Sequence, residues 1–160
     1  MIIPVFGPPK AGMTPAVQYL WLHDLVPAVD CKDMDGGLGK RRHSNGSRAI
    51  ELFDGILQNP PSDRVLVDIG AAQLMAPEFV EYLRSCSAYP HSVVMWCDEA
   101  TSRRRHGGGG ELGRYYGAGP LVPLWESARA AGRLVDTSGE EVPERWARDL
   151  ACIVKGILGI

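Results

Sequence analysis

A chain of 160 residues can bury one sizeable core and is short for two, so we expect a single domain over residues 1–160. The formal net charge of −2 gives no basis for a nucleic-acid-binding surface, and no apolar run approaches the roughly 20 residues that span a bilayer. Four scattered cysteines lack zinc-site spacing and indicate reduced thiols. With no secretory signal pattern at the start, we expect a cytoplasmic protein.

Apolar runs alternate with helical periodicity along the first half of the chain. The pattern predicts a buried strand over 2–6, a helix over 15–25 and a short strand in 27–35 that ends in acidic residues. A glycine-rich basic segment over 36–47 predicts a mobile loop, and 48–58 predicts the next helix.

The second half continues the alternation. We expect strands in 64–70, 92–98 and 132–139, and helices over 77–84, 121–131 and 142–158. The arginine- and glycine-rich segment 103–120 predicts a flexible loop without a place in the core. Short buried strands alternating with helices predict an α/β fold, a three-layer parallel sheet with helices on both faces.

The stretch GPPKAGMT, residues 7–14, has the spacing of the phosphate-binding loop G-x-x-x-x-G-K-[ST]. Such loops direct backbone N–H groups at phosphate oxygens from the start of a helix, and their Ser or Thr ligates magnesium. Gly7, Gly12 and Thr14 retain these parts. Met13 replaces the lysine that supplies positive charge, and Lys10 could approach the phosphates from elsewhere in the loop. The alternative is an ordinary strand-to-helix turn.

The chain resembles P-loop NTPases in four segments that occur in the expected order. They are GPPKAGMT, DCKDMD, VLVDIGAAQ, and VVMWCDEATSRRRHGGGG with LVDTSG after it. Within these NTPases, the chain resembles small-molecule kinases of the shikimate and gluconate kinase sort. This resemblance implies a P-loop NTPase-like fold, ATP with Mg as cofactor, and phosphoryl transfer to the hydroxyl of a small-molecule substrate.

The resemblance also implies roles for particular residues. Asp33 or Asp35 would orient the acceptor hydroxyl, and Asp68 with Gly70 and Ala71 would form the turn near the substrate. Independently of the resemblance, the place of Asp68 at a strand end suggests that it helps to hold magnesium through water. A mobile lid over the phosphates would carry Arg103, Arg104, Arg105 and Arg114. The segment LVDTSG would border the adenine.

Each of these residues also has an ordinary structural interpretation. Asp33 and Asp35 could cap a loop, Asp68 could open a turn, and the arginines could form a solvated charge run. Because Met13 removes the usual charge, the missing lysine argues against full kinase activity. The chain could instead be a degenerate, non-catalytic P-loop module that binds a protein partner.

The strand VLVDIGA also resembles its counterpart in ParA/MinD-type partition ATPases, which act in plasmid maintenance or transfer. These proteins have a second, earlier lysine in the loop. Pro8 occupies that position here, so the most specific feature of the pattern is missing.

Overall fold

Five parallel strands form one sheet in the order β2-β3-β1-β4-β5. The computed structural model describes residues 1–23, 28–30, 46–107, 112–117, 119–139 and 141–160, with only the backbone of 28–30. The strands are β1 Ile2–Phe6, β2 Ala28–Asp30, β3 Val65–Asp68, β4 Val93–Trp96 and β5 Leu134–Asp136. The predicted α/β class and parallel sheet are confirmed.

Helices cover both faces of the sheet. They are α1 Met13–Leu22, α2 Gly46–Gln58, α3 Pro77–Ser85, α4 Glu99–His106, α5 Val122–Ala130 and α6 Pro143–Leu158, with short 3-10 turns at Ala71–Met75, Tyr89–His91 and Leu112–Arg114. The β1–β2 connection crosses the sheet in one direction and the later connections cross in the other. Right-handed crossovers therefore put α1 on one face and α2, α3 and α5 on the opposite face. Helix α6 packs beside α1.

The central strand β1 contains a proline, which usually weakens a sheet because it lacks an N–H donor. Met1 O and Val5 O accept hydrogen bonds from the β3 side, so the nitrogen of Pro4 faces β4. Pairing with β4 begins only at Val5, opposite Val93. Pro4 therefore interrupts no inter-strand hydrogen bond, and β1 keeps its central place.

Two expectations about packing are wrong. Trp21, expected in the core from its helical spacing, is 56% exposed because it lies on the outer side of α1. Segment 103–120 is not one loop excluded from the core. Its start belongs to α4, and Leu112, Tyr115 and Tyr116 are buried.

In the described part of the chain, no helix is long and apolar enough to cross a membrane.

Candidate functional site

Residues 7–14 connect the end of β1 to the start of α1, at the edge where the parallel strands end. Two glycines permit this path. A Cβ on Gly7 would clash with the carbonyl oxygen of Met95, and a Cβ on Gly12, whose φ is +96°, would overlap the Trp146 ring. The glycines predicted for the loop are thus required by close packing on β4 and α6.

Three consecutive carbonyl groups of the loop are hydrogen-bonded to other elements. Pro9 O accepts from Ser102 Oγ at 2.6 Å, Lys10 O from Arg105 Nη1 at 3.0 Å, and Ala11 O from Thr137 Oγ1 at 2.9 Å. We call Ser102, Arg105 and Thr137 the brace. By holding the carbonyl groups, the brace fixes the peptide planes of the loop.

The start of α1 is a suitable site for an anion. The first N–H groups of a helix have no carbonyl acceptor within the helix, and they carry the positive end of its dipole. The structure describes all of α1. No acidic residue lies in its first turn, and its N-cap residue, Gly12, has no side chain to accept a hydrogen bond from the first N–H groups. The backbone can therefore present its amides to a phosphate group.

Thr14 and Asp68 lie together beside these amides. Thr14 Oγ1 donates a hydrogen bond of 2.8 Å to Asp68 Oδ2, across 54 residues of sequence. Asp68 ends β3 and is only 1% exposed, so its carboxyl group is held in place by the sheet. The structure thus brings together two of the residues for which the sequence predicts a magnesium role.

Lys10 and Met13, the two other loop residues with a predicted role for the side chain, differ in exposure. Met13 is 7% exposed and belongs to the core, whereas Lys10 is exposed. Lys10 has φ +63°, a left-handed conformation that costs a residue with a Cβ roughly 1–2 kcal/mol. The strained backbone position of the loop is therefore the residue that carries its positive side chain.

The three arginines of α4 do not form a lid loop. Arg103 pairs with Glu99 at 2.9 Å within the helix, and Arg104 pairs with Glu141 at 2.9 Å. The side chain of Arg105 is only 10% exposed; its guanidinium group lies 4.6 Å from the Trp146 ring and also bonds Glu141. The expectation that a flexible loop carries them is wrong, because α4 begins at Glu99 with Asp98 as its cap.

Ionisable groups near the loop have shifted pKa values. Hydrogen bonds from Thr101 hold the pKa of Asp98 below its ordinary value, and Arg104 and Arg105 do the same for Glu141. Burial raises the pKa of the Cys97 thiol and of the Tyr116 phenol, whose hydroxyl donates to Cys97 O at 2.7 Å. Cys97 and Tyr116 therefore stay protonated at neutral pH.

Other predicted site residues lie elsewhere. Asp33 and Asp35 fall outside the described residues. Arg114 ends a 3-10 turn and lines a cavity beside α3, a different place from the brace.

Several solved structures similar to this chain are small-molecule kinases. A shikimate kinase from Aquifex aeolicus has 15% identity and a TM-score of 0.59, covering 98% of this chain and 97% of that chain. A gluconokinase from Sinorhizobium meliloti 1021 has 12% identity and a TM-score of 0.54, covering 97% of this chain and 91% of that chain. A shikimate kinase from Acinetobacter baumannii, solved in complex with shikimate, has 16% identity and a TM-score of 0.50, covering 99% of this chain and 93% of that chain.

The chain has the fold of P-loop small-molecule kinases. The predicted resemblance is confirmed at the level of fold, and no more follows at these identities. No protein-family model matches the sequence, and no curated protein matches it at a significant level. The resemblance to ParA/MinD-type proteins stays a prediction.

Within this kinase fold, the sequence did not indicate two of the three brace residues, Ser102 and Thr137, and it indicated Arg105 only as part of a lid. Thr137 follows β5 and Ser102 lies in α4, each far in sequence from the loop that it holds. A signal existed for Thr137, since a hydroxyl side chain directly after a parallel strand lies at the edge where ligands bind.

Proposed function

We propose that the chain binds Mg-ATP at residues 7–14 and transfers a phosphoryl group to the hydroxyl of a small molecule. The observation that carries this proposal is the 2.8 Å hydrogen bond between Thr14 and Asp68, beside the uncapped start of α1. An amide-rich loop and a Thr–Asp pair are the groups that phosphate and its metal require.

In this proposal the backbone, rather than a lysine at position 13, contributes most of the phosphate binding. The brace keeps the loop carbonyls away from an incoming anion, which lowers the cost of organising the loop at binding. Lys10 supplies the positive charge from its exposed position. A charge-assisted hydrogen bond contributes about 1.5–3 kcal/mol.

The donor set at Thr14 and Asp68 fits magnesium. Mg²⁺ prefers oxygen ligands and is commonly held by one or two protein groups together with substrate phosphates. Thr14 offers a hydroxyl and Asp68 a carboxylate, close enough to hydrogen-bond. Among the described residues, no three His, Cys, Asp or Glu side chains cluster to hold a metal by themselves, so the phosphates would complete the site. There the ion would neutralise charge on the transferred group.

The acceptor would bind beyond the ends of β2 and β3, where ligands of open parallel sheets bind. We propose Asp33 or Asp35 as the residue that orients its hydroxyl. Arg103 and Arg104, exposed on α4, are the remaining candidates for charge near the phosphates, since Arg105 is committed to the brace.

Calorimetric titration with Mg-ATP and Mg-GTP tests nucleotide binding. We expect micromolar binding by the unmodified chain and about tenfold weaker binding by Lys10→Asn, because asparagine tolerates the left-handed backbone but carries no charge. Met13→Leu, which keeps the volume of the buried side chain, should bind like the parent. Unchanged affinity in Lys10→Asn would remove Lys10 from the proposal.

A second candidate function rests on the burial of Met13, which leaves the usual lysine position without charge. The chain would then be a degenerate P-loop module that binds a protein partner. Binding of Mg-ATP only by Met13→Lys would favour this candidate, and a thermal melt would show whether that variant folds. Should the parent chain bind, ATP consumption in an acceptor screen decides between a kinase and a nucleotide-binding module. Dimerisation on ATP would instead favour a ParA-like ATPase.

A further inference from the structure

A cavity of about 520 Å³ lies between α3, with the 3-10 turn before it, and the residues Arg114, Pro120 and Leu121. Six of its nine described lining residues are apolar, among them Leu74, Met75, Val80 and Leu121; the other three are charged. Its volume falls in the range of small-molecule sites, which are mostly apolar with a few polar groups. None of the nine belongs to the loop 7–14 or to the brace, so the cavity is separate from the proposed nucleotide site.

Two hydrogen bonds hold the wall of the cavity. Tyr115 OH donates to Ala71 O at 2.8 Å, which joins the segment beside Arg114 to the 3-10 turn that ends at Met75. Trp125 Nε1 in turn donates to Tyr115 O at 2.7 Å. These contacts hold two sides of the cavity in place, so a ligand would meet a preformed wall.

The charged lining residues indicate which polar group a ligand of this cavity would carry. Among the nine described lining residues, three are charged, Arg84, Arg114 and Glu81, and all three are exposed. The lining therefore carries a formal charge of about +1, which favours an anionic group. The planar guanidinium groups of Arg84 and Arg114 match the geometry of a carboxylate or a sulfonate.

We propose that this cavity binds an organic anion with an apolar body, such as a carboxylate on an aromatic or branched aliphatic group. The apolar walls would contact the body, and Arg84 and Arg114 would contact the anionic group. A hydroxyl-rich acid does not fit, because its hydroxyl groups would lose their hydrogen bonds to water against walls of carbon.

Methionine methyl groups give a local readout of this site. The chain has five methionines, and Met75 lines the cavity, whereas Met13 lies in the loop 7–14. In spectra of methyl-¹³C-methionine protein, titration with 8-anilinonaphthalene-1-sulfonate should shift the Met75 signal in a saturable way and leave Met13 unchanged. Met75→Leu assigns the signal. Neutral N-phenyl-1-naphthylamine, which lacks the sulfonate, should bind more weakly.

Variants of the charged residues test the anion contact. Arg84→Gln and Arg114→Gln should each weaken binding of the sulfonate by about fivefold, the effect expected for an exposed ion pair, and Glu81→Gln should strengthen it. Arg148→Gln, an exposed arginine on α6, is the matched control and should bind like the parent. The proposal is overturned if the Met75 signal does not shift, if both arginine variants bind like the parent, or if the neutral probe binds equally well.

Discussion

Trp146 determines the shape of the loop 7–14 through a single residue, Gly12. The ring of Trp146 is buried, and its Cε3 atom would lie 2.6 Å from a Cβ added to Gly12. The positive φ of Gly12 starts α1 at this point. Helix α6, at the far end of the sequence, thus sets the conformation of the first helix start.

We expect Gly12→Ala to lower the free energy of unfolding by about 2–4 kcal/mol, from left-handed strain together with the overlap on Trp146. Urea denaturation followed by circular dichroism measures the change. The matched control is Gly55→Ala in the middle of α2, where a Cβ would meet nothing within 4 Å. It should raise stability by about 0.5–1 kcal/mol. Equal effects in the two variants would contradict the proposed role of the Trp146 contact.

The sequence identifies Gly7, Gly12, Thr14 and Asp68 because they fall in a local pattern of fixed spacing. The brace could not be found in this way, since its three hydrogen bonds to the loop span 93, 95 and 126 residues. Spacing within one segment carries no information about which distant side chain meets a carbonyl group. The places of Asp33 and Asp35 are not described, so their roles stay predictions.

At the scale of elements, α4 shows why the predicted loop was wrong. The glycine run that follows it in the sequence is typical of a loop, but the residues at the start of α4 favour a helix. Asp98 is the N-cap residue and accepts a hydrogen bond from Thr101 N at 2.7 Å, and Glu99 and Arg103 form an i,i+4 pair. The remaining helices and the strands have the apolar periodicity that short-range reasoning detects.

Asp98→Ala should destabilise the protein by about 1 kcal/mol at pH 7, because α4 loses its cap. The pKa of Asp98 is lowered in the folded protein, so its contribution is present above the ordinary value of 3.8 and is lost as the pH falls through the lowered pKa. The difference between the parent and Asp98→Ala should therefore shrink in acid.

Denaturant titrations of both proteins from pH 7 to pH 3 measure this difference. Asp98→Asn is the control, because asparagine also caps helices and does not ionise. Its difference from Asp98→Ala should stay constant with pH. A cap effect in Asp98→Ala that persists undiminished at pH 3 would count against the assigned hydrogen bond.

At the scale of the whole molecule, the buried phenol and thiol groups make stability depend on alkaline pH. Burial raises the pKa of Tyr115 to about 12, and it also raises the pKa of Tyr116 and of Cys97. Groups with a raised folded pKa ionise first in the unfolded chain. Their contribution is complete below the ordinary values of 9.0 for cysteine and 10.0 for tyrosine, and it falls as the pH rises above them.

We therefore expect the free energy of unfolding to fall steadily between about pH 9 and pH 11. Chemical denaturation at fixed temperature across this range provides the measurement. Tyr116→Phe should be less stable than the parent at pH 7, because Cys97 O loses its donor. The variant should also lose less stability on going to pH 11. A flat profile for the parent would show that these groups are accessible to water.

At this scale, the sequence was enough to predict the parallel sheet and its two covered faces, but not the contacts between the elements. The alternation of apolar strands and helices predicted this arrangement, because the apolar residues of each segment show which of its faces is buried. The exposure of Trp21 was not predictable, since helical spacing alone does not say which side of α1 meets α6. The extent of the domain, set at residues 1–160, stays a prediction.

The brace makes a short motif depend on the complete chain. All eight residues 7–14 lie near the amino terminus, but their peptide planes are held by residues from α4 and from the segment after β5. During synthesis, the motif would leave the ribosome long before Thr137 does. Its conformation would therefore be among the last parts of the fold to form, and an amino-terminal fragment that contains the whole motif would not reproduce it.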